Sequence, residues 1–496
     1  MTTRGMAWRL FVTCWLVYSV HLATDFLREH YLALSIVERG TIRVDPYLGM
    51  LAGSDIFETE GRGAHIGGNP GASLVAAVAL APFYPAIRAV NQAVVSRRST
   101  SQVVPEYGDP RPNRRRFFQE VWKRGRDVEF GLIAIVTVVF CMAPLTAASA
   151  VVMLRVLSQA GMMPREALLY SLAYAFATPV FFRTGTLSHN LMEAHATLLS
   201  FAILAGAVPI RHARLRDAVA GLAAGATVLI DYSGVLCLAF LGAYLLVKAW
   251  PGGARNVLAR LTPFALGAAI PVAVLSAYLY QAFGHPLYPG QHYMERPEWL
   301  PAGYPNSGFV GPTFDLLWRL LLDPAYGLFL WSPLLALGLA APFIAGRQAR
   351  LFGRLDHALF LGLFVGFWLF FASTYYTTLQ WNAGLRYLLP SVPFVFLAAV
   401  EVLRRLPTRV TYFVLLVSVV ISWSIAMVRY DAVTSVLTVF ITGPTLRALT
   451  VLSQLSGQYF PSAADGVSPI SLFALLGAVL FGVWSRWDGR RQEQRL

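Results

Sequence analysis

The feature that most constrains this chain is the recurrence of apolar runs of about 20 residues, each long enough to cross a hydrocarbon layer roughly 30 Å thick. Candidate spans are 7–24, 128–154, 166–186, 191–209, 261–281, 327–345, 357–376, 388–403, 409–428 and 469–486. The region 217–250 is long enough for two short helices broken near Asp231-Tyr232-Ser233-Gly234. Charged residues make up 13% of the chain, against about 25% in soluble domains. The expected fold class is all-α: a polytopic transmembrane helical protein of about 11–12 spans, with no soluble domain of respectable size.

A net charge of +14 in a soluble protein would suggest nucleic acid. Here the excess sits in short loops between apolar runs, where cytoplasmic loops carry Lys and Arg, so no nucleic-acid partner is expected. The five clusters Arg211–Arg216, Lys248–Arg260, Arg347–Arg354, Arg404–Arg409 and Arg486–Arg495 are assigned to the cytoplasm. The segment 70–95 decides whether they share a side. Pro82 and Pro85 interrupt a short apolar run there, and Arg88 follows, which suits an interfacial or re-entrant element. All five clusters then fall on one side, and the basic segment 96–127, with Arg114-Arg115-Arg116, becomes external. So do 25–127 as a whole, the turn around His189, the loop 283–326, the turn 374–386 and the segment 429–468. Cys14, Cys141 and Cys237 lie in apolar segments without CxxC spacing and read as small buried hydrophobes.

Several external segments carry chemistry-bearing residues. Asp25 stands where the first span ends and is followed by Arg28, Glu29 and His30; it is either an interfacial acid marking a helix end or a general base. Asp25 and Glu29 share one face at helical spacing. His189 and Glu193 are also an i,i+4 pair, at the start of a span, where ionisable groups are costly. They suit polar lining. A divalent metal is conceivable there, but HxxxE without a third ligand does not predict one. Asp231 and Tyr232 break an apolar region and belong at a cavity or partner rather than in lipid. His285, Tyr375, Tyr376, Trp381 and Asn382 line external turns, as sugar-site residues or as an interfacial belt. Arg386 opens a span with a forked donor suited to phosphate. No phosphate-binding glycine loop in a βαβ setting is present, so no nucleotide-using soluble domain is expected, and no cofactor is assigned. No inverted repeat of the transporter kind is evident.

Taken in order, the motifs resemble the GT-C superfamily of polytopic membrane glycosyltransferases. The nearest branch is the polyprenyl-phosphate-sugar-dependent one, which includes protein O-mannosyltransferases and the aminoarabinose transferase of lipid A. The motifs are Asp25 with Tyr31-Leu32-Ala33-Leu34-Ser35 and Glu38-Arg39-Gly40, then Asn69-Pro70-Gly71 and Ser188-His189. Phe283-Gly284-His285-Pro286, Tyr326-Gly327-Leu328-Phe329 with Ser332-Pro333, and Trp381 through Arg386-Tyr387-Leu388-Leu389-Pro390 complete them. The resemblance implies interfacial helices in the first external loop of a single module. It also implies inverting transfer of a sugar from a polyprenyl-phosphate donor to a glycan, lipid or protein acceptor, at the extracytoplasmic side of the cell (inner) membrane. Asp25 would deprotonate the acceptor, Arg386 would hold the carrier phosphate, and His189 or Glu193 would occupy the second external turn. One departure stands out: where relatives often carry a lysine before the proline, this chain reads Gly67-Gly68-Asn69-Pro70. Arg62, His65 or a residue of 96–127 would substitute, unless the donor differs or the chain is a noncatalytic relative. The alternative function is a transporter or flippase of a lipid-linked or amphipathic substrate.

Overall fold

The computed structural model describes residues 3–51, 55–98, 112–294, 296, 300–344, 351–380, 384–459 and 468–485. Trp381 and Asn382, residues 99–111 of the basic segment, Arg347 and Arg486–Arg495 lie outside the described residues.

The chain is a helical bundle. Helix α1 (Thr3–Val20) leads through Asp25 into α2 (Arg28–Arg39). The Leu27 amide donates to His30 Nδ1 at the start of α2, and Gly40, at φ 66°, closes its end. A hairpin follows, β1 (Ile56–Thr59) antiparallel to β2 (Gly63–Ile66) with Thr59 opposite Gly63; it is the one named sheet among the described residues of an otherwise helical protein. Helices α3 (Gly71–Leu80) and α4 (Tyr84–Val95) meet at 73°. Two prolines within a run too short to cross twice give the expected bend.

Helix α5 (Pro112–Lys123) leads to α6 (Asp127–Thr137), which runs through a π-helical turn at Val138–Met142 into α7 (Ala143–Gln159). Next come α8 (Pro164–Phe176), the short α9 (Pro179–Thr184), α10 (His189–Ala205), α11 (Ala213–Ile230), α12 (Gly234–Ala249) and α13 (Gly253–Phe283). Among the described residues, four stretches are long and apolar enough to cross a membrane, or six if each bent pair counts as one. One of them, Gly234–Phe283, doubles back at Trp250–Gly252. At its start Ser233 meets Glu193 at the head of α10, at the turn Lys248 meets the Leu204 carbonyl at the tail of α10, and Tyr278 returns to the Ile66 carbonyl. The expected break at Asp231–Ser233 is therefore a true reversal, with α11 and α12 as separate arms.

Helices α11 and α13 run side by side because glycine permits it. A Cβ on Gly221 would sit 1.9 Å from the Phe264 carbonyl oxygen, and one on Gly225 2.4 Å from that of Ala268.

The remaining elements are α14 (Phe314–Leu322), α15 (Leu328–Trp331), α16 (Pro333–Ala336), α17 (Ala341–Ile344), α18 (Arg354–Phe371), α19 (Val392–Leu403) and α20 (Thr408–Val428). The bent pair α21 (Ala432–Thr442) and α22 (Arg447–Tyr459) precedes α23 (Pro469–Ser485). The expected span 327–345 is broken at Ser332-Pro333, where proline removes a helix donor.

The bundle has two polar ends. At one, Asp217 is shared by Arg216 and Arg260, Arg404 meets Glu166, and Glu401 accepts from the Leu351 and Phe352 amides. Four of the five basic clusters place described residues there. At the other end lie Asp25, α2, the hairpin, α5, and α22, whose Tyr459 donates to Asp127 at 2.6 Å. Arg114 of α5 pairs with Asp25, so the basic segment lies at the same end as Asp25. A separate apolar core fastens this end: Phe26 stacks on Phe130 at 4.1 Å, and Tyr31, Tyr47, Phe117 and Phe283 join them. Burying aromatic rings of this size stabilises the loop by about 1.5–3 kcal/mol each.

Candidate functional site

Asp25 lies within a cluster of guanidinium groups. Its Oδ1 accepts from Arg114 Nη1 at 3.1 Å, and both side chains are largely shielded, 17% and 13% exposed. The other carboxylate oxygen accepts no hydrogen bond from the described residues. Burial pushes the carboxyl up, but the charges of Arg114, Arg429 and Arg447 outweigh it and hold Asp25 below the usual carboxylate range. Asp25 is therefore ionised at neutral pH.

Arg183, on α9, belongs to the same cluster, near Arg429, Arg386, Asp25 and Glu29. Its guanidinium reaches the Gly384 carbonyl at 3.3 Å and Ser188 Oγ at 3.4 Å, tying α9 to the turn that carries Arg386. Arg386 lies over the Tyr387 ring, 4.6 Å from its centroid, and donates to the Leu379 carbonyl at 2.8 Å, while its Nε is buried without a partner. Arg429 donates through Nη1 to the Phe182 carbonyl, and its Nε and Nη2 are buried without partners. Among the described residues the two non-glycine residues with positive φ, Leu385 at 32° and Arg429 at 68°, both belong to this cluster or adjoin it. Strain of this kind persists where surrounding structure holds a functional group in place.

Beside this cluster runs a chain of acids and an imidazole. Arg28 joins exposed Asp55 at 3.2 Å and Glu29 at 3.0 Å. Glu29 meets His189 Nδ1 at 2.9 Å, and His189 Nε2 meets Asp231 at 3.4 Å. Ser233 Oγ then lies 2.7 Å from Asp231 and 3.1 Å from fully buried Glu193. Burial pushes Glu29 up, yet Arg28 and His189 hold its carboxyl well below the usual range. Each ring nitrogen of His189 faces a carboxylate oxygen. Among the described residues no group of three or more His, Cys, Asp or Glu is arranged to hold a metal ion.

The other residues singled out from the sequence fall outside this centre. His30 is fully buried; its Nε2 bonds Thr137 at 3.0 Å, its ring stacks on Phe26, and burial lowers its pKa to about 4. Arg62 donates to the Tyr280 and Gln281 carbonyls and so caps α13. His65 sits between the Ile42 and Arg62 carbonyls. Asn69 docks α3 on the Val228 carbonyl at 2.6 Å. Tyr232 accepts from the Gly290 amide, His285 stacks on Tyr288 at 3.8 Å, Tyr375 packs on Tyr304, and Tyr376 donates to the Asn306 carbonyl. Of the expected substitutes for the missing lysine, Arg62 and His65 are held by backbone carbonyls, whereas Arg114 of the basic segment reaches Asp25. The glycines in that stretch serve close packing: a Cβ on Gly68 would meet the Arg28 guanidinium at 2.9 Å, and one on Gly71 the Leu229 carbonyl at 2.7 Å.

Arg183 and Arg429 were not among the residues the sequence singled out. A permanent cation inside the apolar run 166–186 was the available signal, since such residues are rare in spans and face protein interiors. No protein-family model, curated protein or solved structure matches the chain.

Proposed function

We propose that the protein is an integral membrane glycosyltransferase. It moves a sugar from a polyprenyl-phosphate donor to an acceptor at the extracytoplasmic face of the cell membrane, with inversion. The observation that carries this reading is the ionised Asp25 carboxylate, with one oxygen that accepts nothing from the described residues, set near Arg386 and Arg429, whose buried N–H groups without partners among the described residues suit a phosphate. The motif order of the GT-C resemblance supports it. The reading takes the chain to cross the membrane about eleven or twelve times; four to six stretches of the described residues are long and apolar enough by themselves to support it.

In this mechanism the acceptor hydroxyl gives its proton to Asp25 Oδ2 as its oxygen attacks the anomeric carbon. The bond from that carbon to the phosphate oxygen breaks on the opposite face, and its electron pair leaves with the phosphate. Arg386, Arg429 and Arg183 stabilise the charge that builds there, in a site shielded from water. Arg114 keeps Asp25 ionised between turnovers and turns its Oδ1 away from the acceptor. The test is lipid-linked sugar transfer in membranes carrying Asp25→Asn. Wild-type rates would remove Asp25 as base, and mass spectrometry of lipid-linked sugars and envelope glycans with and without the protein identifies donor and acceptor.

One observation favours the transporter reading: the Glu29–His189–Asp231–Ser233–Glu193 chain leads from the polar end into the bundle, as a proton path does. Substrate movement in proteoliposomes without covalent change would select it.

A further inference from the structure

Helices α5 and α22 start at the same place and end at the same place. Arg114, in the first turn of α5, pairs with Asp25. Arg447, which opens α22, is exposed and near enough for its charge to act on both Asp25 and Arg429. At its far end α5 brings Trp122 under the Arg98 guanidinium, and α22 brings Tyr459 to the same arginine. With 13 residues, α22 is about 20 Å long and reaches from the Asp25 cluster to the corner held by Asp127.

What fastens the two helices differs. Helix α5 buries Phe117, Val121 and Trp122. Among the described side chains of α22 none is fully buried, and Arg447, Thr450 and Leu452 are exposed. Its ends are pinned instead. Just before its first turn Leu446 is buried, and the Thr445 hydroxyl donates to the Met427 carbonyl at 3.5 Å. At its last residue the Tyr459 hydroxyl donates to Asp127 and accepts from Arg98 Nε at 2.8 Å. Arg98 also bonds Asp127 and the Trp122 carbonyl, both at 2.5 Å, with its guanidinium 4.3 Å from the Trp122 ring centroid. The ion pair on Trp122 is thus complete without the tyrosine, so departure of Tyr459 strands no charge. The opposite end turns at Gly443-Pro444. Gly443 has φ 84° and ψ −179°, a conformation only glycine adopts freely, and α21 meets α22 there at 64°. Little buried side chain and a glycine joint mark a segment that opens at low cost.

We propose that α22 is a lid over the Asp25 cluster, hinged at Gly443-Pro444 and latched by Tyr459 against Asp127 and Arg98. Unlatched, it swings away from α5 and opens Asp25 to a polar molecule from the water. Latched, it shuts that route and returns Arg447 to the neighbourhood of the carboxylate. The glycosyl-transfer reading enters only in taking Asp25 as the group the lid guards.

The test uses the full chain in phosphatidylcholine nanodiscs, with Asp25→Cys as reporter and a small anionic methanethiosulfonate as probe. Cys14, Cys141 and Cys237 are buried, and the protein with Asp25 intact gives their background. Tyr459→Phe removes the latch hydroxyl and raises the modification rate at position 25 at least tenfold, as does Tyr459→Ala. Tyr47→Phe removes a hydroxyl that bonds Glu38 at 2.7 Å in the fixed frame of the same end, and it leaves the rate as it was. With Asp25 intact, nitroxides on Leu452→Cys and Arg39→Cys, both exposed positions, give one distance by pulsed electron spin resonance, and Tyr459→Phe adds a longer one. An unchanged rate in both Tyr459 variants, an equal rise in Tyr47→Phe, or an unchanged distance distribution overturns the proposal. Neither readout needs sugar transfer. A lid that moves in a protein that transfers no sugar would stand without the glycosyltransferase reading, and sugar transfer by a protein whose α22 never moves would do the reverse.

Discussion

Arginine crowds both ends of the bundle, but it is used differently at each. At the Asp217 end, Arg216 and Arg260 share one carboxylate, Arg404 has Glu166, and Arg405 has Glu401. At the Asp25 end, Arg28 likewise has Glu29 and Arg114 has Asp25, but Arg386 and Arg429 rest mainly on backbone carbonyls. Paired charge holds helices together; surplus charge of one sign, shielded from water, needs an anion from outside. The contrast teaches that the same residue type, equally close to apolar helices, is structural where acids answer it and a candidate binding group where they do not.

The largest effect should fall on Asp25. Asp25→Asn keeps the shape but not the proton acceptor, so sugar transfer falls by ~10²–10⁴-fold, the usual contribution of a general base. Donor binding stays, as titration of membranes with lipid-linked sugar would show. Next comes the control at the other end. Asp217→Asn strips the carboxylate from Arg216 and Arg260 and destabilises the bundle by about 3 kcal/mol, the scale of a broken buried pair. Thermal unfolding in detergent checks this, and donor affinity measured below the transition should not move. If Asp217→Asn weakened donor binding as much as an arginine change at the Asp25 end, the contrast between the ends would collapse.

A smaller effect is expected at Arg386. Arg386→Ala removes a charge-assisted donor and costs about 2 kcal/mol of donor affinity, roughly thirtyfold. Arg386→Lys restores only part, because a point charge does not reproduce the fork held over Tyr387.

The sequence carried the helices, the break at Asp231 and the bend near Pro82 and Pro85, because apolar run length and proline act locally. It also carried Asp25 and Arg386 as candidates, since both stand at the edges of apolar runs. It did not carry their neighbours. Arg183 and Arg429 are 246 residues apart in number and meet only through the packing of α9 against α20, a contact with no local signature. The acid–imidazole chain was visible as isolated residues, and the order Glu29, His189, Asp231, Glu193 emerges only once α2, α10 and α12 share an end. His30 illustrates the opposite error, a polar residue in a promising stretch whose two nitrogens are consumed by Leu27 and Thr137. Counting polar residues in a loop does not reveal which of them point inward.

The smallest effect is a shift in pH dependence, and it tests the role of Arg114 apart from folding. Asp25 has a folded pKa below its ordinary value, so its ionised form, and any stability from the Arg114 pair, is fully present above the unfolded value. Both are lost as pH falls through the folded value. The acid limb of transfer should therefore lie below the ordinary carboxylate range. Arg114→Ala removes a charge that holds the carboxyl down and leaves the opposing effect of burial, so the limb moves to higher pH while the plateau rate changes little. Arg115→Ala, one residue along α5 and exposed, should leave the limb in place. A pH–rate profile of the three proteins decides it: a limb that stays put in Arg114→Ala would mean that Arg114 anchors α5 without setting the charge state of Asp25.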